Sequence, residues 1–196
     1  MKKSLSLFLS FTLLLPVLTM SFVAPAVAAT VVTSPVIYQN GVTVEEIPYD
    51  ERYGDGDIDL LRESLARGTS RPSSQWNWGN GIYEGELISI QSSTLYTNYT
   101  FQPNTDGWII LSGTFFRHAL GPNLDIVATL YRADNNNAVG SATYPTGYYD
   151  DDDPGRAFRW NGLDPNKTYY YSFYVYRPGG GLANSASGPL HVRIVP

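Results

Sequence analysis

The chain has 196 residues, a net charge of -5 at neutral pH, 15 tyrosines and no cysteine. The acidic balance argues against a nucleic-acid or anionic-membrane partner, because both need a basic surface that releases counterions. The missing thiols exclude disulfides, thiolate metal sites and cysteine nucleophiles.

Residues 1–28 read as a secretory signal peptide. Lys2 and Lys3 supply the basic start, Leu5 to Val23 the apolar stretch, and Ala26-Val27-Ala28 the small residues that a signal peptidase accepts before its cut. Cleavage there leaves an exported protein with no further run of membrane-spanning length, so no membrane contact is expected after cleavage. An exported chain without cysteine fits a bacterial host. Residues 29–196 are long enough for one domain with its own core.

Residues 29–80 read as a flexible lead-in, because Pro35, Pro48, Gly54, Gly56 and Pro72 interrupt every period. Only Asp57 to Ala66 is predicted helical, with Ile58, Leu61 and Leu65 on one face and Gly68 as its stop. Residues 81–196 change to a period of two. Strands are predicted at Glu84–Gln91, Leu95–Gln102, Trp108–Phe116, Leu124–Arg132, Ala138–Tyr144, Ala157–Asn161, Tyr169–Arg177 and Leu190–Val195. Asn104 to Gly107, Asp134 to Asn137 and Asp164-Pro165-Asn166 supply the turns. Leu124, Ile126, Ala128 and Leu130 face inward on one strand. Leu190, Val192 and Ile194 do so on another, which sends His191 and Arg193 toward solvent. The expected fold is all-β: an antiparallel, jelly-roll-like sandwich of about eight strands behind a short helical or irregular lead-in.

Tyr99-Thr100-Phe101, Asp106-Gly107-Trp108-Ile109-Ile110-Leu111, Leu124-Asp125-Ile126 with Leu130-Tyr131, and Leu163-Asp164-Pro165 before Tyr169-Tyr170 occur in an order that resembles the bacterial pre-peptidase C-terminal domain. The likeness covers roughly residues 84–196 and lies in strand and turn types. Where that family usually has a glycine, this chain has Asn166-Lys167-Thr168. The resemblance implies a non-catalytic β-sandwich of secreted proteins that binds substrates or surfaces. Leu163-x-Pro165 before Tyr169 is also similar to fibronectin type III modules, where a tyrosine closes a corner of the sandwich, which implies a structural role for Tyr169.

Ordinary catalytic machinery is hard to assemble from these residues. His118 and His191 are the only imidazoles, no Gly-x-Ser-x-Gly turn exists, and neither histidine has a metal-ligating partner at helical spacing. Glu84 and Glu86 share one strand face, whereas glycoside hydrolysis needs carboxylates on two sides of the scissile bond. Asp55-Gly56-Asp57-Ile58-Asp59 is similar to the middle of a calcium loop, but an EF-hand register puts Tyr53 and Arg62 where carboxylates are needed. In the run Asp150 to Asp153, Asp151, Asp152 and Asp153 are the candidate metal ligands, and calcium is the one cofactor such oxygens suit. A solvated acidic loop is the plain alternative.

The strand Tyr169-Tyr170-Tyr171-Ser172-Phe173-Tyr174-Val175-Tyr176 carries aromatics on both faces. With Tyr169, Tyr171, Phe173 and Val175 inward, Tyr170, Tyr174 and Tyr176 are expected to be exposed and to hold a ligand by stacking. Trp76 and Trp78, just ahead of the strands, are expected to add to that surface. Tyrosine also favours strands for reasons unconnected with binding. The expected function is that of a secreted, non-catalytic binding or surface-interaction protein. Its partner would be cell-wall polysaccharide or an extracellular protein; the alternatives are a carbohydrate-binding module and a structural component of an extracellular layer.

Overall fold

The period-two pattern of residues 124–128 is matched by burial: Leu124, Ile126 and Ala128 are wholly inaccessible while Asp125 and Val127 between them are not, and beyond them both Thr129 and Leu130 are buried. The computed structural model describes residues 36–37, 41–50, 68–91, 93–117, 124–148, 155–177 and 185–195. The stretch read as a signal peptide, the helix expected at Asp57 to Ala66, His118 and the run Asp150 to Asp153 lie outside the described residues. All described residues belong to the unit Val32–Pro196. Among them no helix is long and apolar enough to cross a membrane.

The protein is all-β. Its strands are Val36–Ile37 (β1), Thr43–Ile47 (β2), Ser74–Gln75 (β3), Tyr83–Ile90 (β4), Leu95–Tyr96 (β5), Tyr99–Thr100 (β6) and Trp108–Gly113 (β7). Phe116–Arg117 (β8), Asp125–Arg132 (β9), Ala138–Pro145 (β10), Gly147–Tyr148 (β11), Arg156–Asn161 (β12), Tyr169–Tyr176 (β13) and Ala186–Arg193 (β14) follow. The larger sheet runs β1, β2, β12, β7, β14, β8, β11, with β4 paired to β14; the smaller runs β10, β9, β13, β5. A short third pairing joins β3 to β6. Pairing is antiparallel except between β3 and β6 and between β8 and β11, which are parallel.

The two larger sheets share one core. Val42, Val44, Ile109, Leu111, Trp160 and Val192 come from or beside the larger sheet, and Ile126, Leu130, Tyr144, Tyr171 and Phe173 from the smaller. Trp160 meets Tyr171 edge-on at 5.1 Å and Tyr144 meets Phe158 at 4.9 Å, the offset geometry that ring quadrupoles favour. The Tyr144 hydroxyl crosses between sheets to donate to the carbonyl of Leu111 at 2.9 Å. Burial of each such side chain contributes about 1.5–3 kcal/mol, which is how a disulfide-free domain holds together.

Two expectations need correction. The sheet begins well before residue 81, since β2 pairs with β12 over five positions and buries Val42 and Val44. Ion pairs to a distant strand fix its register: Arg156 to Glu46 at 2.7 Å, and Arg159, through Nε and Nη2, to Glu45. Burial alone would raise the pKa of Glu45, yet the hydrogen bonds from Arg159 and Asn161 and the guanidinium charge hold it below the ordinary carboxylate value.

His191 and Arg193 are not solvent-facing. Both faces of β14 are buried, with His191 3% and Arg193 2% exposed. Arg193 donates through Nη1 to the buried Oγ of Ser112 at 2.9 Å, a hydrogen bond within the sheet surface.

Candidate functional site

Aromatic and amide residues alternate through Gln75-Trp76-Asn77-Trp78. This segment leaves β3, whose parallel pairing sets Ser74 against Tyr99 and Gln75 against Thr100. The Trp76 backbone N–H extends that pairing to the Thr100 carbonyl at 2.8 Å. Asn77 then ends the extended run: its side-chain oxygen accepts from the Gly79 N–H at 2.9 Å and starts the single 3-10 turn Trp78–Asn80. In this way a β segment and a tight turn place two indoles close together.

Each indole is held at both ends. The Trp76 Nε1–H donates to the Gly81 carbonyl at 3.0 Å, and its ring packs edge-on against Tyr83 at 5.3 Å and Tyr99 at 5.2 Å. The Trp78 Nε1–H donates to the Gln102 carbonyl at 2.9 Å, with the ring 5.9 Å from Phe101. Tyr83 itself is fully buried, and burial pushes its phenol up to about 12. Both indoles stay half-buried and so keep surface to offer.

Gln75 donates to the Gln102 Oε1 at 3.1 Å, and Gln102 donates on to the Pro165 carbonyl at 2.8 Å. Gln75, Trp76, Asn77, Trp78 and Gln102 together line a groove of about 370 Å³. That is near the lower end of the roughly 300–1,000 Å³ seen for small-molecule sites. Gln102 lies on a separate part of the chain, and no local pattern marks it as a partner of the two tryptophans.

The three candidate tyrosines divide. Tyr174 is 41% and Tyr176 52% exposed, but Tyr170 is buried at 1%. Its expected exposure fails because neighbouring aromatics cover it. Tyr131 stacks on it at 5.4 Å with ring planes 8° apart, Tyr96 meets it edge-on at 5.9 Å, and its hydroxyl donates to the Asn136 Oδ1 at 2.9 Å. Burial raises its pKa. Nor does the structure bring the exposed tyrosines to the tryptophans. Tyr169 bridges to Phe101 beside the groove, whereas Tyr174 and Tyr176 lie roughly 16–23 Å further along β13 at the ordinary strand rise.

One row of the larger sheet sets Ser112, His191 and Glu84 side by side on β7, β14 and β4. These are the residue types of nucleophilic hydrolysis. Ser112 is fully buried and its Oγ accepts from Arg193, while His191 Nδ1 has no hydrogen-bond partner among the described residues. Burial, and then the nearby charge of Arg193, pushes the His191 imidazole down to about 4. Glu84 and Glu86 stand on one strand opposite His191 and Pro189. Among the described residues no group of three or more His, Asp or Glu could hold a metal ion. The candidate ligands Asp151, Asp152 and Asp153 lie outside those residues. No known protein-family model matches the chain, and no curated protein is significantly similar to it.

Proposed function

We propose that this is a secreted, non-catalytic binding protein that attaches to an extracellular polymer through the groove at Trp76 and Trp78. The observation that carries the reading is the fixing of two half-exposed indoles by main-chain carbonyls beside a linked pair of glutamines. Rigid aromatic surface binds at low entropic cost, because few torsions are lost on contact. The signal-like N-terminus and the resemblance to pre-peptidase C-terminal domains support an exported surface-interaction role, as does the burial of Ser112 and His191. Mixing the mature protein with washed cell walls, insoluble polysaccharides and fibrous protein, with and without calcium, tests the reading. Depletion from one material supports it, and reversal by EDTA would assign calcium to Asp151, Asp152 and Asp153. No depletion from any material favours a structural role in an extracellular layer.

A second reading, a carbohydrate-binding module built on Tyr174 and Tyr176, is favoured by their exposure. It predicts that replacing both by alanine abolishes retention on polysaccharide and leaves the melting temperature in place.

A further inference from the structure

We infer that the groove between Trp76 and Trp78 takes a neutral saccharide chain, with Gln75 and Asn77 reading its hydroxyls. The inference rests on the groove being the binding site and goes on to name the chemistry of its ligand. Aromatic grooves serve two common extended ligands, sugar chains and proline-rich peptides. The two make opposite demands on a tryptophan. A proline-rich peptide in an aromatic groove leaves carbonyls that need donors from the protein. Here both indole N–H groups are already spent, on Gly81 and Gln102, so a peptide carbonyl would have to draw on the side-chain amides of the groove instead. What the indoles keep is apolar surface, which suits the C–H face of a pyranose ring.

The remaining polar groups at the groove fit hydroxyls. Gln75 commits one amide hydrogen to Gln102, and its carbonyl oxygen has no partner among the described residues. Asn77 uses its side-chain oxygen on Gly79, and its amide nitrogen has no partner among them. The groove therefore offers the Gln75 carbonyl oxygen as an acceptor and the uncommitted amide N–H groups of Gln75, Asn77 and Gln102 as donors beside the rings, a mixed set that sugar hydroxyls, each donor and acceptor, can satisfy. None of the five lining residues is charged, so nothing there pairs with a uronate, a sulfate or a phosphate. The Gln75, Gln102 and Pro165 chain holds the acceptor in place before ligand arrives.

The test titrates the mature protein with neutral oligomers of glucose and of N-acetylglucosamine, with oligogalacturonate, and with a proline decamer. Tryptophan emission and calorimetry report binding. The expected result is a saturable emission change with one neutral series and none with the acidic or proline probes. Gln75→Leu should weaken that binding about five- to tenfold, the loss of one hydrogen bond, at an unchanged melting temperature. Saturation by the proline decamer, preference for oligogalacturonate, absence of response to every neutral series, or neutral binding indifferent to Gln75→Leu would each overturn the assignment. If wall depletion persists while the neutral series fail, the saccharide assignment falls and the broader binding role stands. If depletion fails as well, both fall.

Discussion

The indole N–H of Trp78 donates to the main-chain carbonyl of Gln102 at 2.9 Å, tying together positions 24 residues apart. That bond joins the segment before the first long strand to the chain that follows β6, and it sets the angle at which the Trp78 ring meets solvent. Trp78→Phe keeps a ring against Phe101 and removes the donor. It should lower stability by about 1 kcal/mol and loosen the ring. A urea titration followed by circular dichroism checks the first effect, and the polymer-depletion assay checks the second as a loss of retention.

Two neighbouring phenols give opposite predictions. The Tyr169 hydroxyl accepts from the Asp164 backbone N–H at 3.0 Å, closing the corner that precedes β13. Tyr169→Phe should cost about 1 kcal/mol, since it strands that N–H. The Tyr171 hydroxyl is buried with no hydrogen-bond partner among the described residues, so Tyr171→Phe should raise stability by about 1 kcal/mol. Parallel thermal melts of the two variants read the difference in sign.

Gly107 ends the turn that begins at Asn104, and its φ is +74°. A Cβ there would lie 2.4 Å from the carbonyl oxygen of Leu163, whose own N–H donates back to the Gly107 carbonyl at 2.9 Å. Gly107→Ala combines a left-handed backbone with a main-chain overlap and should destabilise the fold by about 2–4 kcal/mol. Denaturant midpoints provide the measurement.

His191 makes stability depend on acid. Its imidazole is pushed down to about 4 in the folded protein, from an ordinary 6.5. The unfolded chain therefore binds more protons between those values. The stabilisation is complete above pH 6.5 and is lost as the pH falls toward 4, by about 3 kcal/mol in all. Urea midpoints at pH 7 and pH 4.5 should fall further for the wild type than for His191→Gln, and the difference between the two isolates the imidazole from titrating carboxylates.

The strands with strict alternation were legible from sequence because their two faces meet unlike surroundings. β9 is one: Ile126, Ala128 and Leu130 are buried in the core, while Asp125 and Val127 are half-exposed on the other face. β2 was not legible, because its five residues Thr43-Val44-Glu45-Glu46-Ile47 look like loop until Arg156 and Arg159 arrive from a strand over a hundred positions away. Tyr170 and His191 were misplaced for a related reason. Alternation predicts which side of a sheet a residue takes, and says nothing of whether that side is covered. Tyr96 and Tyr131 do so for Tyr170. Of the groove, Trp76 and Trp78 stood out as a spaced aromatic pair, and Gln102 joined them only through the β3 and β6 pairing.

The most direct test of the central claim is depletion from the one wall or polysaccharide material that retains the wild type, comparing Trp78→Ala with a Tyr174→Ala, Tyr176→Ala double variant, each confirmed folded by its melting temperature. Binding at the tryptophan groove predicts that Trp78→Ala stays in solution while the tyrosine variant is retained as well as the wild type. Retention of Trp78→Ala together with loss of the tyrosine variant would contradict it and move the site to the exposed end of β13.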